Sequence, residues 1–476
     1  MNAPIARLFV VVTVLFAVLI GFTSQWTVFG ADGLRENPKN RRQLLEDQRV
    51  HRGLIRAGDR LVLARSHKRP DDTYVRSYPQ GGLFSHAVGY NFVREGNAGL
   101  ERYYDNELSG RNNALGSLID RLSGGQRQGD NLITSLDPRA QRVALQQLGG
   151  RKGAVVALDP RTGAIKVMAS VPGYDANSIQ RPSAFRRLNR DPDAPLLNRT
   201  TQAGYPPGST FKVVTTIAAL EAGRYTPLSR VSGRNGKPIS GVPLNNDGGQ
   251  SFGDITLTDA LTNSVNTVFG EVGEKLGKRT MKTTMDKLGF GKRVPVDLPV
   301  DERAASGERR NGRIISTTSR FVDVGRMAIG QDKLTVTPLQ MAMVAAAVAN
   351  HGRLMTPHLG ARIVDPDGRT ARRIKPGVYS QAMSPKTASE VTAMMAQVVK
   401  EGTGTAAALQ GINVAGKTGT AEVDRPCGPN QLWFIAFAPI EAPRVAVAAT
   451  VECGTGFGGT VAAPIAKAVM QELLRK

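Results

Sequence analysis

A serine hydroxyl becomes a useful nucleophile when a neighbouring base takes its proton. One stretch of this chain sets two such groups at a suitable interval. In Tyr205-Pro206-Pro207-Gly208-Ser209-Thr210-Phe211-Lys212 the lysine follows the serine by three residues. Pro207 and Gly208 break whatever precedes, and Phe211–Leu220 is helix-length, mostly apolar and closed by Gly223. Ser209 is therefore expected at a helix N-terminus, with Lys212 on the same helical face. Val213, Val214 and Ile217 make that helix dry, and desolvation lowers a lysine pKa. A neutral Lys212 can act as base for Ser209.

Two later stretches add to this pair. Ser264-Val265-Asn266 follows a helix expected around Leu257–Leu261, and Lys417-Thr418-Gly419-Thr420 continues Ile412–Ala415 as a strand. On that strand Thr418 and Thr420 share a face, where their hydroxyls can hold a carboxylate. Gly419 is expected to leave room for a peptide along the strand edge. Each piece has an ordinary structural explanation: a helix lysine reaching solvent, an N-cap pair, a lysine at a strand end. Together and in this order, S-x-x-K, S-x-N and K-T-G form the signature of penicillin-binding proteins and class A β-lactamases.

The elements that must position these groups are legible as periodic segments. Ala154–Asp159 and Ile165–Ala169, joined by Pro160-Arg161-Thr162-Gly163, read as a hairpin. Thr337–Asn350 and Lys386–Val399 read as helices, Ile412–Glu422, Gln431–Ala438 and Arg444–Glu452 as strands, and Pro464–Arg475 as a closing helix. Strands, then helices, then strands predict an α+β fold, with an antiparallel sheet of about five strands, helices on its faces and a helical lobe. Upstream, Leu34–Arg49 and Asp137–Leu148 read as helices, and Arg52–Ile55 and Leu61–Ala64 as strands around a Gly58-Asp59 turn. Gly99–Gly110 is rich in polar groups but lacks a nucleophile–base spacing, so a structural role is expected.

The N-terminus bears on location. Leu8–Phe29 carries no charge over 22 residues, enough to cross a bilayer. Arg7 precedes it, Trp26 is placed for the outer interface, and no A-x-A-like cleavage site follows its apolar core. An uncleaved anchor is expected, with the later residues outside. Lys+Arg 62 against Asp+Glu 40 gives a net charge of +22, which suits an anionic surface or polymer. The cations are scattered without aromatic interleaving, which sets nucleic acid aside. The five histidines show no ligand spacing, so neither a metal nor a Ser-His-Asp triad is assigned.

Beyond the three motifs, Arg52-Gly53, Gly99-Leu100-Glu101, Gly153–Pro160, Asn198-Arg199, Gly330-Gln331 and Thr337-Pro338-Leu339-Gln340 make nearly the whole chain resemble a class B penicillin-binding protein, most like the actinobacterial PBPA type. The resemblance implies a cytoplasmic tail (1–7), a transmembrane anchor (8–29), an elongated pedestal similar to penicillin-binding protein dimerisation domains (30–130), and a transpeptidase domain of β-lactamase-like fold (131–476, core sheet from about 153). It implies a peptidoglycan D,D-transpeptidase without a cofactor, acting on D-Ala-D-Ala stem peptides and acylated by β-lactams. Its catalytic residues would be Ser209, Lys212, Ser264 and Lys417. Asn266, Thr418, Gly419 and Thr420 would bind substrate, and the Ser209 and Thr420 N–H groups would form an oxyanion hole. A membrane-embedded glycan polymerase of the RodA/FtsW kind is the partner it implies. Two other readings stay open: a D,D-carboxypeptidase or β-lactam hydrolase, and a β-lactam sensor.

Cys427 and Cys453 are the only cysteines. With a turn centred on Glu441, Gln431 faces Val451 and Pro429 faces Cys453, which brings Cys427 within reach of a disulfide.

Overall fold

The structure, a computed structural model, describes residues 3–25, 48–58, 61–111, 128–423 and 428–475. Ala3–Ser24 (α1) is a helix of 22 residues, long and apolar enough to cross a membrane and with none of its residues buried. It starts before the expected Leu8. Trp26–Phe29, most of the expected Leu34–Arg49 helix, Asp59 and Cys427 lie outside the described residues.

Next come the strands Ile55–Ala57 (β1), Leu61–Lys68 (β2), Tyr74–Ser77 (β3) and Asn131–Thr134 (β4), and the helix Pro138–Leu148 (α2). The expected hairpin follows as Gly153–Leu158 (β5) and Ile165–Val171 (β6). Then come the helices Lys212–Glu221 (α3), Leu257–Thr262 (α4), Asn266–Lys287 (α5, broken at Gly277) and Pro338–Ala349 (α6). The chain continues through Gly360–Val364 (β7), Thr370–Arg373 (β8), Pro385–Lys400 (α7), Ala415–Glu422 (β9), Asn430–Ala438 (β10), Val445–Gly454 (β11) and Gly458–Leu474 (α8).

Local chemistry sets several helix starts. Asp137, Thr337 and Ser384 each cap a helix that has proline in its first turn, where the missing N–H costs nothing. Thr256 and Asp259 form a reciprocal capping box on α4. Helix α8 starts six residues before the expected Pro464 and carries that proline inside it.

The five-stranded sheet is antiparallel throughout, in the order β9-β10-β11-β5-β6. Its strands are apolar on both sides, because helices cover both faces. Val155 and Ala157 join a cluster with residues of α2 and α8. The alternate residues Val156 and Leu158 join the larger core with α3, α5 and α6, as a period of two requires. Helix α6 has no charged residue and all of its side chains are buried. Strand β9, which carries Lys417–Thr420, ends the sheet and leaves one edge unpaired by another strand.

The register of the β10–β11 pair differs from the expected one. Leu432, rather than Gln431, faces Val451, and Asn430 faces Gly454. Glu452 and Cys453 together stand opposite Gln431, so β11 bulges by one residue, and Cys453 takes a φ of 54°. Such bulges re-aim side chains. Here Glu452 reaches Arg199 Nε (2.8 Å) and accepts from Tyr205 Oη (2.6 Å). Cys453 is disulfide-bonded.

A six-stranded sheet, β8-β7-β4-β1-β2-β3, lies in the N-terminal half. Two of its strands, β7 and β8, come from far along the chain, so it crosses the expected boundary at 130/131. The polar Gly99–Gly110 stretch is structural, as expected. Glu101, fully buried, pairs with Arg52 (2.7 Å) and Arg76 (2.6 Å). Tyr104 Oη donates to buried Asp297 (2.8 Å), which also accepts the N–H groups of Leu359 and Gly360. That carboxylate ties the two halves together.

Candidate active site

Ser209 lies in a 3₁₀ turn, Gly208–Phe211, that runs into α3. Gly208 makes the turn possible. Its φ is 52°, and a Cβ there would lie 2.7 Å from the Thr420 carbonyl oxygen. Its N–H donates to the Gly330 carbonyl (3.0 Å), so the Gly330-Gln331 segment braces the turn from outside. Tyr205 anchors the approach by pairing both ways with Val336, and buried Trp433 donates from Nε1 to the Pro206 carbonyl (2.9 Å).

Lys212, in the first turn of α3, is wholly buried. Its Nζ donates to the Ser264 carbonyl (2.6 Å) and Asn266 Oδ1 (2.7 Å) and lies 3.3 Å from Ser264 Oγ. Ser264 sits between α4 and α5 with a φ of 58°, an uncommon backbone for serine that turns both of its oxygens toward the lysine. Asn266 Nδ2 donates to the Asn245 carbonyl (3.0 Å), which fixes the amide with its oxygen toward Lys212. A neutral amine has two N–H groups and one lone pair. When the amine is neutral, the two short contacts to acceptors take both N–H groups and leave the lone pair available. Burial first, and then the charge of Lys417, hold the Lys212 pKa well below the ordinary lysine value, against a smaller opposing pull from Asp247. Ser209 Oγ is partly exposed and makes no hydrogen bond among the described residues.

From β9, Lys417 Nζ reaches Ser264 Oγ (2.9 Å), the Thr418 carbonyl (3.1 Å) and Thr418 Oγ1 (3.3 Å). It too is fully buried, and burial lowers its pKa to about 7. Ser264 Oγ thus bridges two lysines. Thr418 Oγ1 shares a 2.6 Å hydrogen bond with Thr403 Oγ1, and Thr420 Oγ1 accepts from the N–H of Gly458 (3.1 Å). The first turn of α8 therefore backs this face of β9. The Thr420 carbonyl faces Gly208, and in an antiparallel strand the N–H of the same residue points to the same side.

The structure thus brings Lys212, Ser264, Asn266, Lys417 and Thr418 into one network, with the Ser209 turn against Thr420. Gly419 differs from its expected place. A Cβ there would lie 2.8 Å from the Pro207 carbonyl and 2.9 Å from Thr210 Cγ2. Its bare face packs β9 against the Ser209 turn rather than lying open to a peptide. Sequence reasoning missed Asn245, which orients Asn266, and Thr403, whose signal is the Gly402-Thr403-Gly404 break between α7 and β9. Among the described residues no group of His, Cys, Asp and Glu is arranged to hold a metal ion.

A buried amine of lowered pKa, close in sequence to a partly exposed serine and beside a strand edge, belongs to the serine acyl-transfer class of site. Comparison with known proteins narrows the class. Residues 153–471 match the penicillin-binding protein transpeptidase domain, and residues 52–132 the penicillin-binding protein A dimerisation domain. The chain is 36% identical to the peptidoglycan D,D-transpeptidase PbpA of Mycolicibacterium smegmatis over the full length of both proteins. It is 30% identical to the peptidoglycan D,D-transpeptidase MrdA of Acinetobacter baumannii, over 84% of this chain and 66% of that one. The penicillin G acyl-enzyme complex of penicillin-binding protein A from M. tuberculosis superposes with a TM-score of 0.80 at 34% identity, covering 89% of this chain and 100% of that one. The chain belongs to the class B penicillin-binding protein D,D-transpeptidases.

Proposed function

We propose that this protein cross-links peptidoglycan through an acyl-enzyme on Ser209. The observation that carries the reading is the wholly buried Lys212, its pKa lowered, donating to two acceptors beside Ser264. Ser209 Oγ attacks the carbonyl of the penultimate D-Ala of a stem peptide, and its proton passes to the Lys212 lone pair. The C–N bond to the terminal D-Ala breaks. Ser264, between the two lysines, relays a proton to the departing amine. The N–H groups of Ser209 and Thr420 stabilise the oxyanion, a contribution of about 10²–10³ in rate per donor. Thr418 and Thr420 hold the substrate carboxylate, backed by Lys417 and the N-terminal turn of α8, whose dipole favours an anion. Asn266 orients Lys212 and meets the substrate amide, while Gly419 seats β9 against the nucleophile turn. An amine of a second stem peptide then resolves the ester. A β-lactam enters by the same attack and stays bound.

The domain division, with a pedestal at 30–130 and the transpeptidase at 131–476, belongs to this reading, as does a catalytic domain outside the membrane held by α1. The family resemblance adds a glycan polymerase of the RodA/FtsW kind as a candidate partner, tested by co-purification from membranes. Purified full-length protein supplied with a pentapeptide donor and an amine acceptor tests the activity. Cross-linked product together with released D-Ala is expected. Release of D-Ala with hydrolysed donor only would favour a carboxypeptidase. Rapid turnover of penicillin would favour a β-lactam hydrolase.

A further inference from the structure

A pocket of about 360 Å³ opens in the N-terminal half, and its walls share no residue with the Ser209 network. Arg52, Arg69, Arg76, Asn91, Arg94 and Glu95 are among its lining residues. Arg76 is almost wholly buried. Its Nε pairs with Glu101 (2.6 Å), and its Nη1 donates to the Arg52 carbonyl and Ser66 Oγ (3.2 Å each). Its Nη2 is buried without a hydrogen-bond partner, and so is Asn91 Nδ2. Leaving such donors unmatched is costly, most of all on a charged group. Both belong to residues that line this pocket.

The charge is also unbalanced. Glu101 serves both Arg52 and Arg76, and Asp105 serves both Arg52 and Arg111. Arg69 and Arg94 form no ion pair among the described residues. With Arg111 included, five guanidinium groups meet three carboxylates, Glu101, Asp105 and Glu95, so two positive charges are left over. A single carboxylate would match one of these charges and use two acceptor atoms. A phosphoryl group carries close to two charges and three acceptor oxygens, and arginine forks suit its geometry.

We propose that this pocket binds a phosphate monoester group, presented either by a lipid that ends in one or by a soluble phosphate ester. Full-length protein in neutral-detergent micelles is dialysed to equilibrium against radiolabelled inorganic phosphate. Saturable binding is expected, weakened about tenfold or more in the Arg69→Gln/Arg94→Gln double variant and in Asn91→Leu, with penicillin labelling unchanged in both. Displacement by micelles doped with phosphatidic acid but not phosphatidylcholine assigns the lipid source. Displacement by glycerol 3-phosphate alone assigns the soluble one. Absence of saturable phosphate binding, wild-type binding in the double variant, or acetate binding as tightly as phosphate would each overturn the proposal.

Discussion

Asn266→Asp isolates the protonation state of Lys212. The substitution keeps size and shape but places a carboxylate where Asn266 Oδ1 lies, 2.7 Å from Lys212 Nζ. At an effective dielectric of about 20, unit charges at that distance attract by about 6 kcal/mol. The new carboxylate loses hydration and the Asn245 contact, which offsets part of this. If about a third survives, the ammonium gains about 2 kcal/mol, and the ratio of neutral amine to ammonium falls about 30-fold at a given pH. The base works only when neutral, so acylation rises with pH through the Lys212 pKa, and stabilising the ammonium moves that rise to higher pH. Stopped-flow acylation by a fluorescent penicillin should therefore be slower at and below neutral pH, by up to about 30-fold, and recover in alkali. A folded variant that acylates at the wild-type rate at neutral pH refutes the reasoning. So does a loss that alkali does not restore, because a missing substrate contact is insensitive to the state of Lys212.

Lys212→Arg should abolish penicillin acylation, because a guanidinium stays charged, whereas Lys417→Arg should only slow it; equal rates in a labelling time course would contradict the division of roles. Gly208→Ala adds a Cβ 2.7 Å from the Thr420 carbonyl at a φ of 52°, and should cost about 1–3 kcal/mol in denaturant unfolding while slowing acylation. Glu101→Gln leaves buried Arg76 without its carboxylate and Arg52 with Asp105 alone, and should cost about 3–5 kcal/mol, read as a lower midpoint with normal labelling of the folded fraction. The Glu101 pKa is depressed: burial alone would raise it, but Arg76 and Arg52 outweigh burial. Its contribution to stability is therefore present above the unfolded-state carboxyl pKa and is lost as pH falls through the lower folded value; acid titrations of wild type and Glu101→Gln should converge at low pH.

Much of the site was legible because its chemistry sits in three short, local patterns. Ser209 and Lys212 share one turn, Ser264 and Asn266 flank one bend, and Lys417–Thr420 lie on one strand whose apolar run announced it. The helix and strand segments of the second half could be read because buried faces impose periodicity. What escaped depends on contacts distant in sequence. Nothing local says that Gly360–Val364 and Thr370–Arg373 pair into the N-terminal sheet, because strand partners are chosen by tertiary packing. The bulge at Glu452–Cys453 shifts the register by one residue to serve Arg199 and Tyr205, which lie about 250 residues upstream. Asn245 acts through a backbone carbonyl, which leaves no pattern, and Thr403 through a hydroxyl pair whose one local signal is the pair of glycines around it. Gly419 was recognised as necessary, but its neighbour is the Ser209 turn, visible only once β9 is docked against it.

The most direct test of the central claim is to label the full-length protein with penicillin, digest it and identify the acylated peptide by mass spectrometry, with Ser209→Ala in parallel. Wild type should carry one penicilloyl group on the peptide containing Ser209. The folded Ser209→Ala protein should carry none. An adduct on any other residue, or labelling that persists in the folded variant, would contradict the account.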